Sequence, residues 1–260
     1  MTRRILSAVL AATVIAFSPV APAEQLSSAF KPESVFAKFD YMHLEDSTPM
    51  EYFELELGEW RPIQAQRIRR GVTNAWHFYE MMPGTRRDSD EPYDYITVSI
   101  FPAYENVSNP AGTEAIFDVY PGIDLQEMYD RADAARSFVR SDLWKVAAVV
   151  APDAGTKPLG EYLLLSFLDG EAPGDEEVQA WMDTAAPRIQ QGELAGATLL
   201  VLANPEDEAR PYTLVSIQYA DALSGLLKAD NNGLNSARSV YKSQVWRLID
   251  SIDESEIEGE

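Results

Sequence analysis

The chain has 260 residues, no cysteine, and 42 acidic against 21 basic residues, for a formal net charge of −21 at pH 7. The missing cysteine excludes a disulfide framework, a thiol nucleophile, cysteine-ligated zinc and iron–sulfur clusters. The acidic balance disfavours nucleic acid and anionic lipid as partners, and a 46% hydrophobic content leaves stability to an ordinary apolar core.

Residues 1–23 begin with Arg3 and Arg4, continue through an apolar stretch from Ile5 to Phe17, and close on Ala21, Pro22 and Ala23. A positive start, a short apolar run and an A-x-A site predict a signal peptide cleaved after Ala23, and export to the periplasm or beyond. The alternative, an uncleaved anchor, is disfavoured by the shortness of the run. Thr2, Arg3, Arg4 and Leu6 carry part of a twin-arginine signal, so the export route stays open between that and general secretion. Cleavage would leave 19 basic against 42 acidic residues. No later run of 18 apolar residues is present, so the mature chain is expected to be soluble with no membrane partner.

In chain order, VFAKFDYMHL (35–44) alternates like a strand. Thr48, Pro49 and Glu51 form a capping box, predicting a helix to Gly71 with Phe53, Leu57, Trp60 and Ile68 on one face and a kink at Pro62. AWHFYEMM (75–82) and YDYITVSIF (93–101) read as two strands joined by a polar loop. The segment at about 106–124, with Phe117, Tyr120 and Pro121, is a lid or only a longer loop. Asp124 and Glu127 cap a second helix, along which Leu125, Met128, Ala132, Ala135, Val139 and Leu143 recur at helical spacing. VAAVV (146–150) follows as a short last strand, and the order is βαββαβ, a ferredoxin-like unit.

The unit is written twice. ARSFVRSDLWK (135–145) returns 102 residues later as ARSVYKSQVWR (237–247). Trp60, Arg67, Ile68 and Gly71 match Trp181, Arg188, Ile189 and Gly192 at an offset of 121, and YITVSI (95–100) matches YTLVSI (212–217) at 117. The falling offset predicts a duplication whose second copy has lost loop residues. The expected organisation is a signal peptide at 1–23, a first repeat at 24–157 and a second at 158–260 that ends in an acidic, solvated tail. One face of each sheet is left open by its helices, and the second copy is expected to cover it face to face.

Tandem units carrying Trp60, Pro62, Arg67 and Ile68, then Tyr93, Asp94, Tyr95, Ile96, Thr97 and Val98, resemble the dimeric α/β-barrel superfamily in fused, internally duplicated form. More narrowly, they resemble uncharacterised secreted bacterial proteins. The resemblance implies an α+β fold in which two tandem ferredoxin-like βαββαβ repeats pack as an intramolecular barrel-like pseudo-dimer. The superfamily includes cofactor-free monooxygenases, haem-handling enzymes, small-molecule isomerases and proteins without known activity. No catalytic motif in this chain selects one branch, and no cofactor is expected.

Alternation assigns the candidate site. Taking Ile96, Val98 and Ile100 as the helix-facing set leaves Tyr95, Thr97 and Ser99 toward a cleft between the repeats. The same logic sends Lys38 and Asp40 of the first strand and His77 and Tyr79 of the second to that cleft. His77, titrating near neutral pH, is the candidate acid or base, assisted by Asp40 or Tyr79, while Lys38, Tyr95, Thr97 and Ser99 are candidate ligand contacts. In the second copy His77 becomes Thr198 and Tyr79 becomes Leu200, so one wall is polar and the other apolar, as suits a small-molecule pocket. The plain structural alternative is a salt-bridged patch on a sheet edge.

Other signals are weaker. His43 reads as a rim residue. Asp88, Asp90, Glu91 and Asp94 lack the glycine of a calcium loop, and no metal site is expected. Arg61, Arg67, Arg69 and Arg70 complement the dipole at a helix end and need no anion. No nucleophile elbow, phosphate loop, dinucleotide fingerprint or zincin pattern occurs. Three functions follow: a module binding a small, partly apolar molecule between the repeats; a cofactor-independent oxygenase or isomerase using His77; or an interaction protein whose repeats complete each other's core. The expected assembly is a monomeric pseudo-dimer or a homodimer.

Overall fold

The computed structural model describes residues 28–45, 47–84, 92–153, 159–203, 211–230 and 238–257. The signal segment, the carboxylates Asp88, Asp90 and Glu91, and the expected repeat boundary at 157/158 lie outside the described residues.

A short β1 (Ser28–Phe30) precedes β2 (Phe36–His43). The capping box then starts α1 (Pro49–Phe53): Thr48 Oγ1 accepts from Glu51 N, and the Glu51 carboxylate accepts from Thr48 N. A π-helical turn (Glu54–Trp60) leads into α2 (Arg61–Arg69). The cause of this irregularity is Pro62, which has no N–H to offer the fourth carbonyl back. That carbonyl, on Gly58, instead accepts the Tyr120 hydroxyl at 3.2 Å.

Then come β3 (Ala75–Met81), β4 (Tyr95–Phe101), a 3₁₀ turn (Tyr104–Asn106), α3 (Ala111–Val119), α4 (Leu125–Ala135) and β5 (Ser137–Ala151). The second half has β6 (Tyr162–Leu168), α5 (Asp175–Gln190), β7 (Gly196–Leu202), β8 (Leu214–Ala220), α6 (Leu223–Asp230) and β9 (Val240–Asp253), followed by α7 (Glu254–Ile257). Among the described residues no helix is long and apolar enough to cross a membrane.

The strand order β5-β2-β4-β3-β9-β6-β8-β7 closes through a β5–β7 pairing into an eight-stranded antiparallel barrel. Each half contributes four strands in the same relative order. The halves join edge to edge, β3 to β9 and β5 to β7, so the open faces become the inner wall of one barrel: the expected barrel-like packing holds, with the halves continuous in one sheet and not simply laid face to face. Closure leaves the eight strands no unpaired edge.

Of the repeated segments, 137–145 lie in strand β5 and 240–247 in strand β9, and the second helix of the first half ends at Ala135. Residues four apart share a side in a strand as well as in a helix, so Val139 and Leu143 fit both periods. The period of two at Arg140, Asp142, Trp144 and Val146, all buried, is the one the barrel uses.

Four β-bulges obey the duplication. Register slips at Val139 in the β2–β5 ladder and at Tyr241 in the β6–β9 ladder; it slips again at Ala147 against β7 and at Ile249 against β3. The ladders also show that β4 and β8 correspond at an offset of 119, where the sequence match suggested 117. Tyr93 and Tyr212 are thus counterparts, stacked on Trp246 at 6.0 Å and Trp144 at 6.3 Å. The two-residue slip preserves which face each side chain takes.

Four apolar clusters result: one inside the barrel, one between the first sheet and α1–α2, one between the second sheet and α5, and a small one at Ile63, Ile116 and Met128 where α2, α3 and α4 meet.

Candidate functional site

The ladder partners Phe39↔Val98↔His77 set those three residues on one face, with Tyr41, Ile96 and Tyr79 on one side of them and Ala37, Ile100 and Ala75 on the other. All point into the barrel. There they meet Leu163, Leu165, Leu200 and Ile217 of the second half around a cavity of about 240 Å³. An apolar cavity of about 150 Å³ holds a benzene, so this one has room for a larger ring system.

Of the seven residues expected in one cleft, only His77 and Tyr79 line this cavity. Lys38, Asp40, Thr97 and Ser99 lie on the outer face of the same strands, in a separate pocket beneath α2 and α3. Tyr95 is also outside, packed on Tyr52 at 4.9 Å and on Phe53 at 5.7 Å under the first helix. Asp40 therefore cannot assist His77; it accepts from Lys38 Nζ at 3.0 Å and from Ser141 Oγ at 2.5 Å. The parity assigned to β2 and β4 fails because barrel closure buries both faces. The more apolar set seals the interior, and the polar set goes to the helix side.

Polar groups in the cavity are sparse. His77 lies 6.2 Å from Tyr79, ring to ring. Burial raises the Tyr79 phenol well above its ordinary value and pushes Tyr219 up to about 12, an effect partly offset by the Thr198 hydroxyl beside it. Both phenols therefore stay protonated at neutral pH and can donate hydrogen bonds. Thr198, the counterpart of His77, lines the cavity from the second half, as the sequence comparison anticipated.

The other end of the barrel is closed by a buried polar cluster that sequence reasoning missed. Lys242 Nζ and Gln244 Nε2 donate to the Tyr93 hydroxyl at 3.0 and 2.9 Å. The Arg140 guanidinium lies 4.4 Å from the centre of the Tyr41 ring and 3.5 Å from Asp142. Burial, then the Asp142 charge, holds the Tyr41 phenol well above its ordinary value. Arg140, Asp142 and Trp144 match Lys242, Gln244 and Trp246 in the repeated segments. Reading those segments as strands would have placed all six on one buried face. His43, at the end of β2, sits with Nδ1 2.6 Å from Asp94 Oδ2, a rim contact as expected.

Fold and cavity together define an α+β protein built as a closed antiparallel β-barrel with helices outside and room for a small molecule within. No family model matches the sequence, and no curated protein does. Solved structures do. A haem-binding protein from Thermus thermophilus superposes with a TM-score of 0.50 at 11% identity, over 87% of this chain and 95% of its own. A Fusobacterium nucleatum protein provisionally named a monooxygenase gives 0.52 at 8% identity, over 88% and 95%. At these identities the likeness shows the fold alone, and it agrees with the dimeric α/β-barrel resemblance.

Haem does not fit the interior. Drug-sized ligands already need roughly 300–1,000 Å³, and the cavity offers about 240 Å³.

Proposed function

We propose that this protein binds one small, largely apolar molecule inside the barrel, and that it does so after export. The observation that carries the reading is the cavity itself, walled by apolar strand residues of both halves and bearing Asn74, His77, Tyr79, Thr198 and Tyr219 as its polar residues. A pocket of that composition orients a ligand through a few hydrogen bonds while apolar contact supplies the affinity. We read the two halves as tandem ferredoxin-like repeats, since each carries the same strand order, helix placement and bulges.

The test is native mass spectrometry of protein purified from the periplasm, combined with thermal denaturation in the presence of indole. Expected are a mature N-terminus at Glu24, an adduct released on denaturation or a Tm raised by indole, and loss of both in Leu200→Trp, which fills the cavity. Neither adduct nor indole response in the folded protein would refute the reading. The second reading, a cofactor-independent enzyme of oxygenase type, draws on the His77 imidazole facing the cavity. It requires that His77→Ala abolish turnover of the bound molecule while leaving its binding intact.

A further inference from the structure

The residues excluded from the barrel line a second pocket, of about 270 Å³, between the outer face of β2–β4 and the α2–α3 pair. Its chemistry is opposite to that of the barrel. Lys38, Asp40, Gln64, Arg67, Thr97 and Ser99 line it, and Thr73, 1% exposed, adds a hydroxyl with no hydrogen-bond partner. Lys38 is neutralised by Asp40 at 3.0 Å. Arg67 is not neutralised: Nε donates to the Gly112 carbonyl at 3.0 Å and Nη1 to Gln64 Oε1 at 3.3 Å, and among the described residues no carboxylate lies within ion-pair distance. Burial holds its guanidinium below the ordinary value. A partly buried, unpaired guanidinium is expensive unless something anionic completes it.

The second half provides the control. There the counterpart of Arg67 is Arg188, whose Nε reaches Glu193 at 3.3 Å and Nη1 reaches Gln218 at 3.5 Å. Leu164 stands in place of Lys38 and Leu194 in place of Thr73, both packed in the apolar core under α5. The same corner of the duplicated fold is thus filled and neutralised in one copy, open and cationic in the other. The roof of the open corner, including Asn106, Asn109 and Gly112, comes from the segment with the 3₁₀ turn and α3, which has no counterpart between β8 and α6.

We propose that this pocket is a binding site for a small hydroxylated carboxylate, with Arg67 receiving the carboxylate and Thr73, Thr97 and Ser99 meeting the hydroxyls. Arginine presents paired N–H donors suited to a carboxylate, and hydroxyl side chains match ligand hydroxyls because each can donate and accept. Phosphate would satisfy the charge but would leave most of the hydroxyl-lined volume unused.

The test uses the full mature chain in thermal denaturation and calorimetry with sodium D-gluconate and L-tartrate. D-glucose serves as the neutral counterpart, inorganic phosphate as the plain anion, and sodium chloride as the ionic-strength control. Expected is a Tm raised by gluconate or tartrate and not by glucose or chloride, with affinity at least tenfold weaker in Arg67→Met and about threefold weaker in Thr73→Val. His77→Ala, in the barrel cavity, should leave the response unchanged. Should Arg67→Met fail to fold, Ser99→Ala and Lys38→Met each have to weaken gluconate in its place. Three results overturn the proposal: no response to either carboxylate, a response that survives Arg67→Met, or a phosphate response equal to that of the carboxylates.

Discussion

The two halves of the barrel agree inside and diverge outside. Within, the Tyr93–Trp246 and Tyr212–Trp144 stacks, the four bulges and the pairing of His77 with Thr198 follow the duplication closely. Outside, the first sheet carries a charged pocket roofed by an insertion, whereas α5 packs on the second over a mainly apolar core whose few polar groups, Arg188, Ser216 and Gln218, are paired within it. Each half closes the other's barrel, so the inner faces keep a common geometry even where the side chains differ, as at His77 and Thr198 or Asp142 and Gln244. The helix-covered faces share no such constraint and are free to specialise.

The strictest test of inner equivalence uses the two tryptophans. Trp144 and Trp246 are both fully buried, and replacing a buried tryptophan with alanine costs about 3–5 kcal/mol. Trp144→Ala and Trp246→Ala should each lose stability in that range, to within about 1 kcal/mol of each other, in guanidinium unfolding followed by circular dichroism. If one were tolerated and the other not, the pseudo-symmetry of the interior would be only geometric.

A sharper contrast lies in two glutamates at the same offset. Glu56 is buried in the π-helical turn, and burial raises its carboxyl to about 7, an effect tempered by Arg136. Its counterpart Glu177 is held below the usual carboxylate range by hydrogen bonds from Arg238, the counterpart of Arg136. The two carboxyls therefore act on stability with opposite sign. The Glu56 carboxyl keeps its proton longer in the folded state, so its favourable contribution exists in acid and is lost as pH rises from about 4.5 through about 7. The Glu177 contribution is present above the unfolded value and is lost as pH falls through the depressed one. Glu56→Gln should gain on the order of 3 kcal/mol over the parent at pH 8 and nothing at pH 4.5. Glu177→Gln should lose under about 1 kcal/mol at pH 8, since that pair is partly solvated. Urea unfolding of the three proteins, followed from pH 8 down to well below the ordinary glutamate range, reads both signs.

The outer arginines come next in size. Arg188→Met strands Glu193 and Gln218 and should cost about 1–2 kcal/mol. Arg67→Met strands the Gly112 carbonyl and Gln64 but breaks no ion pair, so in ligand-free protein it should cost less than Arg188→Met. Equal losses would mean that the first-half pocket is held together by Arg67 and not prepared for a ligand.

Much of this architecture was legible in the residues. The capping box at Thr48, the strands at 75–82 and 93–101, the paired tryptophans and the duplication all survive in the structure, because each rests on local chemistry or on direct repetition. Legibility failed where two periods coincide, as at Val139 and Leu143, and where burial is two-sided. For β2 and β4 the rule that apolar residues face the helices has no force once a barrel interior competes for them. His77 and Tyr79 were placed correctly because Trp76 and Phe78 are bulky enough to claim the helix side unaided. Arg67 was assigned to the helix dipole because nothing local reveals that a distant insertion, near Gly112, would enclose it.

The smallest effect concerns Thr198, one of two polar side chains, with Tyr219, that the second half brings to the barrel cavity. Thr198 occupies the place of His77 and stands beside Tyr219, whose phenol burial pushes up to about 12. Thr198→Val keeps the shape and removes the hydroxyl, so stability should change by under about 1 kcal/mol and Tyr219 should titrate still higher. Binding should separate more clearly than stability. Affinity for phenol, which can hydrogen-bond across the cavity, should fall about three- to tenfold, equivalent to roughly one net hydrogen bond, while affinity for toluene should hold or rise. Calorimetry with the two probes measures the difference directly. Equal losses for both would indicate that Thr198 only shapes the wall and that the second half presents its polarity through Tyr219 alone.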